Sequence, residues 1–135
     1  MDTVFSLPIT TLFVALFALT QIPFTVAVGI RRAQTGIQFM DGGDPALLKR
    51  MRAHGNFTET VPMALLAMAA AELSGAPAAL LWAGGGALLV GRLLHYRTLV
   101  TSGFGNGRAV GMLLTLAPLL VFPVYVLLAF AGIRL

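Results

Sequence analysis

No charged residue interrupts the 26 residues from Phe5 to Ile30, and at 1.5 Å per residue such a run reaches about 39 Å as a helix. That exceeds the roughly 30 Å of a bilayer's hydrocarbon layer, so the segment reads as a tilted membrane span. The rest of the chain agrees. Of its 135 residues, 58% are hydrophobic and 10% charged, with a mean hydropathy of +0.89. A soluble domain carries about a quarter charged residues, so the composition is that of an integral membrane protein. At ~20 residues per crossing, the length predicts one domain with four crossings, an all-α integral membrane four-helix bundle. The net charge of +4 then reads as a topology signal rather than as a footprint for nucleic acid. With no cysteine, disulfides, a thiol nucleophile and cysteine metal sites are excluded. The chain start lacks the basic region of a cleavable leader, so the first apolar run is expected to remain a membrane helix.

Prolines, glycines and basic residues divide the chain into spans near 5–30, 45–74, 77–100 and 108–132. Arg31-Arg32 is expected to stop the first span, with a loop over Gln34–Asp44. Asp44 followed by Pro45 has the form of an N-cap with proline at the first helical position, and Gly75 that of a helix stop. Pro23, Pro62, Pro118 and Pro123 are expected kink sites. Gly84-Gly85-Gly86 and Gly91 give the third helix a flank that another helix can approach closely. Thr101–Gly107 reads as a flexible loop. Eight of the nine basic residues flank the first and third loops, with only Arg134 opposite. The positive-inside rule places loops 31–44 and 101–107 in the cytoplasm and both termini outside.

The chemistry concentrates in Arg52-Ala53-His54-Gly55-Asn56-Phe57-Thr58-Glu59-Thr60-Val61-Pro62. At 100° per residue, Lys49, Arg52, Asn56 and Glu59 fall within about 80° of each other, beside an uncharged stretch over Met63–Ala71. Charge at membrane depth is costly and is kept when something faces it. One reading is structural, with Glu59 neutralising an arginine while Asn56 holds two helices in register. The other counts cations. Arg31, Arg32, Lys49, Arg52, Arg92 and Arg108 outnumber Glu59 near one membrane face, and surplus guanidinium suits an anionic ligand. Arg50 and Arg97 are expected to snorkel to lipid headgroups. Arg92, His95 and Tyr96 share a face of the third helix. Two histidines without cysteine make only a weak case for a metal site, and Ser74 and Ser102 have no triad partners.

Arg52-Ala53-His54-x-Asn56-x-x-Glu59-x-x-Pro62 closely resembles the signature of the MAPEG family, the membrane-associated proteins in eicosanoid and glutathione metabolism. The likeness is strongest to the microsomal glutathione transferase and prostaglandin E synthase branches. Gly91-Arg92-Leu93-Leu94-His95, with Arg108 sixteen residues after Arg92, resembles the family's third- and fourth-helix arginines. The resemblance implies a homotrimer with glutathione, as co-substrate, bound between subunits toward the cytoplasmic side. By family pattern Arg52, Asn56 and Glu59 hold glutathione, with Arg31 or Arg32 joining them and Arg92, His95 and Tyr96 on the third-helix side. Arg108 then faces the sulfur as the catalytic residue. The implied second substrate is an apolar electrophile or lipid peroxide arriving through the bilayer. Met112 stands where some branches carry a tyrosine one turn after Arg108, which removes that phenol. A non-catalytic lipid-binding or scaffolding member is the alternative. A channel or transporter would need polar residues in the outer halves of the spans, where few occur.

Overall fold

The computed structural model describes residues 6–133; Phe5 and Arg134 lie outside the described residues. Four helices form: α1 (Pro8–Thr35), α2 (Pro45–Leu73), α3 (Ala78–Val100) and α4 (Asn106–Phe130). α1, α3 and α4 are each long and apolar enough to cross a membrane. α2 is as long as any of them, but Lys49, Arg50, Arg52, Asn56 and Glu59 make its first half polar. α2 has neighbours to face with that polarity: like α3, it packs against all three other helices, whereas α1 and α4 do not meet.

Apolar residues at helical spacing make the core. Phe13, Phe17 and Phe24 of α1 meet Phe57, Val61, Ala64, Met68 and Ala71 of α2, with Leu81 and Leu88 of α3 and Phe122 of α4. Such i, i+3, i+4 stripes place one face of each helix inward. The outward faces keep large apolar residues such as Leu19, Leu66, Val90 and Leu113, as a lipid-facing surface requires. The expected small-residue flank of α3 is real. A side chain at Gly84 would strike the ring of Phe122, and one at Gly85 the ring of Phe13. Gly91 and Gly111 bring α3 and α4 into backbone contact, with a Cβ on Gly111 falling 2.7 Å from the Gly91 carbonyl oxygen. Gly86, by contrast, faces open space.

Helix ends follow their capping chemistry. Asp44 caps α2 by accepting from the Leu47 N–H at 2.6 Å, with Pro45 in the first turn, and Gly75 lies just beyond its end with φ +82°. α1 departs from expectation, running five residues past Ile30 before Gly36 ends it at φ +70°. Arg31 and Arg32 do not stop it, because each finds an oxygen partner without leaving the helix. Arg31 pairs with Asp44 at 2.6 Å, and Arg32 donates to the carbonyls of Ile37, Gln38 and Met40. Arg50 does not snorkel to lipid: its Nη1 donates to the Ala27 carbonyl at 2.9 Å and ties α2 to α1. α2, α3 and α4 otherwise begin and end within about two residues of the expected positions.

The N-terminus of α1 has no side-chain cap of its own. Glu72, in the last turn of α2, supplies one, accepting from the N–H groups of Ile9 at 3.0 Å and Thr10 at 2.8 Å. A carboxylate is favoured at the positive end of a helix dipole and satisfies two otherwise orphaned donors. Glu72→Gln, which keeps the shape and removes the charge, is therefore expected to lower stability by about 1 kcal/mol. Thermal unfolding in detergent reads this directly; an unchanged midpoint would show that the contact carries no net stabilisation.

Candidate functional site

Arg92 sits at the meeting point of α2, α3 and α4 and is only 2% exposed. Its guanidinium spans the bundle. Nη1 donates to Asn56 Oδ1 and to Thr60 Oγ1, the second at 3.2 Å. Nη2 lies 3.4 Å from both the Gly111 carbonyl and the Met112 sulfur. Nε is buried without a partner among the described residues. Every partner is neutral, so a full positive charge is held inside the bundle by dipoles alone.

Asn56, fixed from behind by Arg92, faces a cavity of about 200 Å³. Leu48, Lys49, Arg52 and Asn56 of α2 form one wall, His95 and Leu99 of α3 the second. Arg108 of α4 and Gly103 of the α3–α4 loop close it. The helical repeat explains the first wall, since residues 48, 52 and 56 succeed one another at i+4 on one face. His95 is 3% exposed and packs against Gly111, so the α3–α4 contact also sets its position. Lys49 Nζ donates to the Thr101 carbonyl at 2.8 Å.

Among the described residues, no carboxylate lines this cavity. The one ion pair among the described residues is Arg31–Asp44, leaving Lys49, Arg52, Arg92 and Arg108 without an acidic partner. The surplus of cations is thus narrower than the sequence count. Arg31 and Arg32 are engaged elsewhere, Lys49, Arg52 and Arg108 line the cavity, and Arg92 stands behind Asn56. Their field favours an anion, and guanidinium groups present the forked donors that carboxylates and phosphates accept. On its other side, Arg108 borders an apolar groove of about 370 Å³ with Phe104, Gly105, Ala109 and Met112. One guanidinium therefore stands between a cationic cavity and a greasy one.

Of the expected ligand set, the structure brings Arg52, Asn56, His95 and Arg108 to one cavity and places Arg92 directly behind Asn56. Glu59 does not join them: it lies one turn deeper on α2, exposed, on the outer surface of this single chain. Tyr96 turns toward α1, its ring stacked on Phe24 at 3.5 Å and 4°. Arg31 is held by Asp44, whose carboxyl is kept below the usual carboxylate range by the Arg31 hydrogen bond and then by the Leu47 N–H. Lys49 is the lining residue that the expected set left out, although its place on the polar face was visible in the sequence. Leu99 and Gly103 carried no such signal.

The MAPEG family model matches residues 10–128, most of the chain and both blocks that build this site. The chain belongs to the MAPEG family. Similar curated proteins include Inner membrane protein YecN of Escherichia coli strain K12 and its counterpart in the O6:H1 strain. Each is 35% identical over 88 residues, covering 65% of this chain and 67% of the relative. This MAPEG chain is an all-α integral membrane bundle, with its buried arginine, asparagine anchor and cation-lined cavity near one end of the spans.

Proposed function

We propose that the chain binds glutathione in the cationic cavity and acts as a membrane glutathione transferase or peroxidase on apolar electrophiles or lipid peroxides. The observation that carries this reading is a cavity lined by three cations, Lys49, Arg52 and Arg108, with Arg92 behind Asn56 and no acidic residue among the described residues contributing to it. Glutathione offers two carboxylates to such donors. Arg52 and Lys49 suit the carboxylates, Asn56 supplies an amide held in place by Arg92, and Arg108 faces the thiol.

A thiol with pKa near 8.5 is only a few per cent thiolate at neutral pH. A guanidinium within about 4–6 Å lowers an acid's pKa by about one to three units, each worth about 1.4 kcal/mol. Arg108, in the first turn of α4, adds its own charge to the positive end of the helix dipole. The apolar groove on its far side would receive the second substrate from the bilayer. The thiolate sulfur would attack an electrophilic carbon and displace its leaving group, or attack a peroxide oxygen and break the O–O bond. The second route releases the alcohol and leaves a sulfenic acid, which a second glutathione converts to the disulfide and water. Proximity would supply much of the rate.

At about 200 Å³ the cavity is smaller than the roughly 300–1,000 Å³ of typical small-molecule sites. A neighbouring copy, as in the homotrimer the resemblance implies, would complete its wall. Glu59, exposed and without an ion-pair partner among the described residues, would reach such a neighbour and take the ligand's amino group. We place the protein in a bacterial inner membrane, with loops 31–44 and 101–107 cytoplasmic, on the charge asymmetry and the likeness to the YecN proteins.

Adding glutathione to purified wild type is expected to produce ultraviolet thiolate absorbance. In Arg108→Ala the bound thiol should titrate about one to three pH units higher. No thiolate signal in either protein contradicts the proposal. One observation favours a non-catalytic scaffolding reading: the Arg92–Asn56–Thr60 network joins α2 to α3 without any ligand. Under that reading Arg52→Ala changes assembly but no thiol ligand is found.

A further inference from the structure

The α3–α4 connection is more than a tether. Lys49 Nζ holds its Thr101 carbonyl, and Ser102 Oγ donates to the Phe104 carbonyl at 2.6 Å. Gly103 and Gly105, at φ +78° and +138°, bracket Phe104 in backbone conformations that side-chain-bearing residues rarely adopt. The result is a shaped loop that presents one ring. Phe104 is 81% exposed, yet its ring lies under a charge: the Arg108 Cζ stands 5.5 Å from the ring centroid.

Arg108 needs such a contact. Lys49 and Arg52 on α2 carry like charge and line the same cavity, His95 faces it from α3, and no carboxylate among the described residues offsets them. Repulsion alone would drive the Arg108 guanidinium away from the cavity and into solvent. Among the described residues, the face of Phe104 is the contact that opposes this, since a guanidinium within about 6 Å of a ring centroid is attracted to the ring quadrupole.

We propose that Phe104 is a positioning residue for Arg108. Its ring holds the guanidinium at the boundary between the cationic cavity and the apolar groove before any ligand arrives. Resting on the glutathione reading above, this makes the α3–α4 loop part of the thiol-activating apparatus, because a charge fixed in advance stabilises the thiolate without reorganising. The plainer role for an exposed aromatic near a membrane face is to sit among lipid headgroups. The two roles differ in what they move: anchoring affects stability, whereas positioning affects the thiol.

The test uses the full chain in lipid nanodiscs as wild type, Phe104→Leu and Phe104→Trp, titrating the thiolate absorbance of bound glutathione against pH. Leucine keeps an apolar side chain and removes the quadrupole. It should raise the midpoint by about half a pH unit, a two- to fivefold loss of thiolate at a given pH below it. Tryptophan, the stronger cation–π partner, should restore the wild-type midpoint or lower it. A leucine variant titrating with the wild type overturns the role of Phe104 alone, and a loss of thermal stability with no movement of the midpoint assigns the ring to anchoring instead. A wild type that forms no bound thiolate sinks the glutathione reading, and this inference with it.

Discussion

Arg92→Met is expected to leave the bundle as stable as the wild type or more so, while Asn56→Ala weakens it by about 2–3 kcal/mol. The asymmetry follows from what each change leaves behind. Arg92 is buried with its charge met only by neutral dipoles. Desolvating a guanidinium is expensive, and replacing a buried charged group by an apolar one of similar length is often neutral or stabilising. Methionine fills much of the same volume with a flexible side chain. Asn56 borders the cavity, where water can satisfy its amide once Arg92 is gone, and Thr60 still donates to the Asn56 backbone carbonyl at 2.8 Å. Removing Asn56 does the opposite, leaving the charge in place without its best acceptor. Chemical or thermal unfolding in detergent measures both, and Arg92→Met/Asn56→Ala should be more stable than Asn56→Ala alone. Glutathione affinity should fall at least about tenfold, or 1.4 kcal/mol, in Arg92→Met despite its sound fold, because Asn56 loses its fixed orientation. If Arg92→Met unfolds while Asn56→Ala does not, the buried arginine is chiefly a structural bolt.

Gly111→Ala should be the most disruptive single-methyl change in the chain. The added Cβ would lie 2.7 Å from the Gly91 carbonyl oxygen, 2.8 Å from the His95 Cβ and 2.9 Å from the His95 nitrogen. Two of those three atoms are backbone, so no rotamer change relieves the clash. α4 must move away from α3 as a body, at a cost of about 3 kcal/mol. The Gly111 carbonyl, which accepts from Arg92 and from Thr115 Oγ1, moves with it. So does Arg108, one turn earlier on the same helix. Unfolding temperature and thiolate formation should therefore fail together. Gly86→Ala is the matched control: its Cβ meets nothing within 4 Å, and alanine is the better helix former by about 1 kcal/mol, so stability should hold or rise. Equal losses in the two variants would mean that helix propensity, not the α3–α4 contact, decides the outcome.

Much of this arrangement is legible in the sequence where the determining interaction is local. Apolar runs mark the helices, and Asp44-Pro45 and Gly75 mark the two ends of α2, because caps are set by residues within a few positions of each other. The i+4 step from Arg52 to Asn56 survives unchanged as a cavity wall. What the sequence hides is partnership over distance. A tally of cations cannot show that Arg31 is spent on Asp44, or that Arg32 is spent on three loop carbonyls. Glu72 reads as an isolated acid at the end of an apolar stretch, since the N–H groups it caps belong to a helix more than sixty residues away. Glu59 shares the angular face of Arg52 but sits about 4.5 Å beyond Asn56 along the axis, past the floor of the cavity. Angle alone carries no depth. Phe104 was hidden for a related reason: a loop of glycines and small polar residues reads as slack until the backbone shows where its one ring points.

The most direct measurement is a structure of the membrane-embedded protein determined with glutathione present. Glutathione is expected to sit against Arg52, Asn56 and Arg108, its carboxylates on the basic residues and its sulfur nearest Arg108. A carboxylate from a neighbouring copy filling that cavity, or an empty cavity at saturating glutathione, would contradict it.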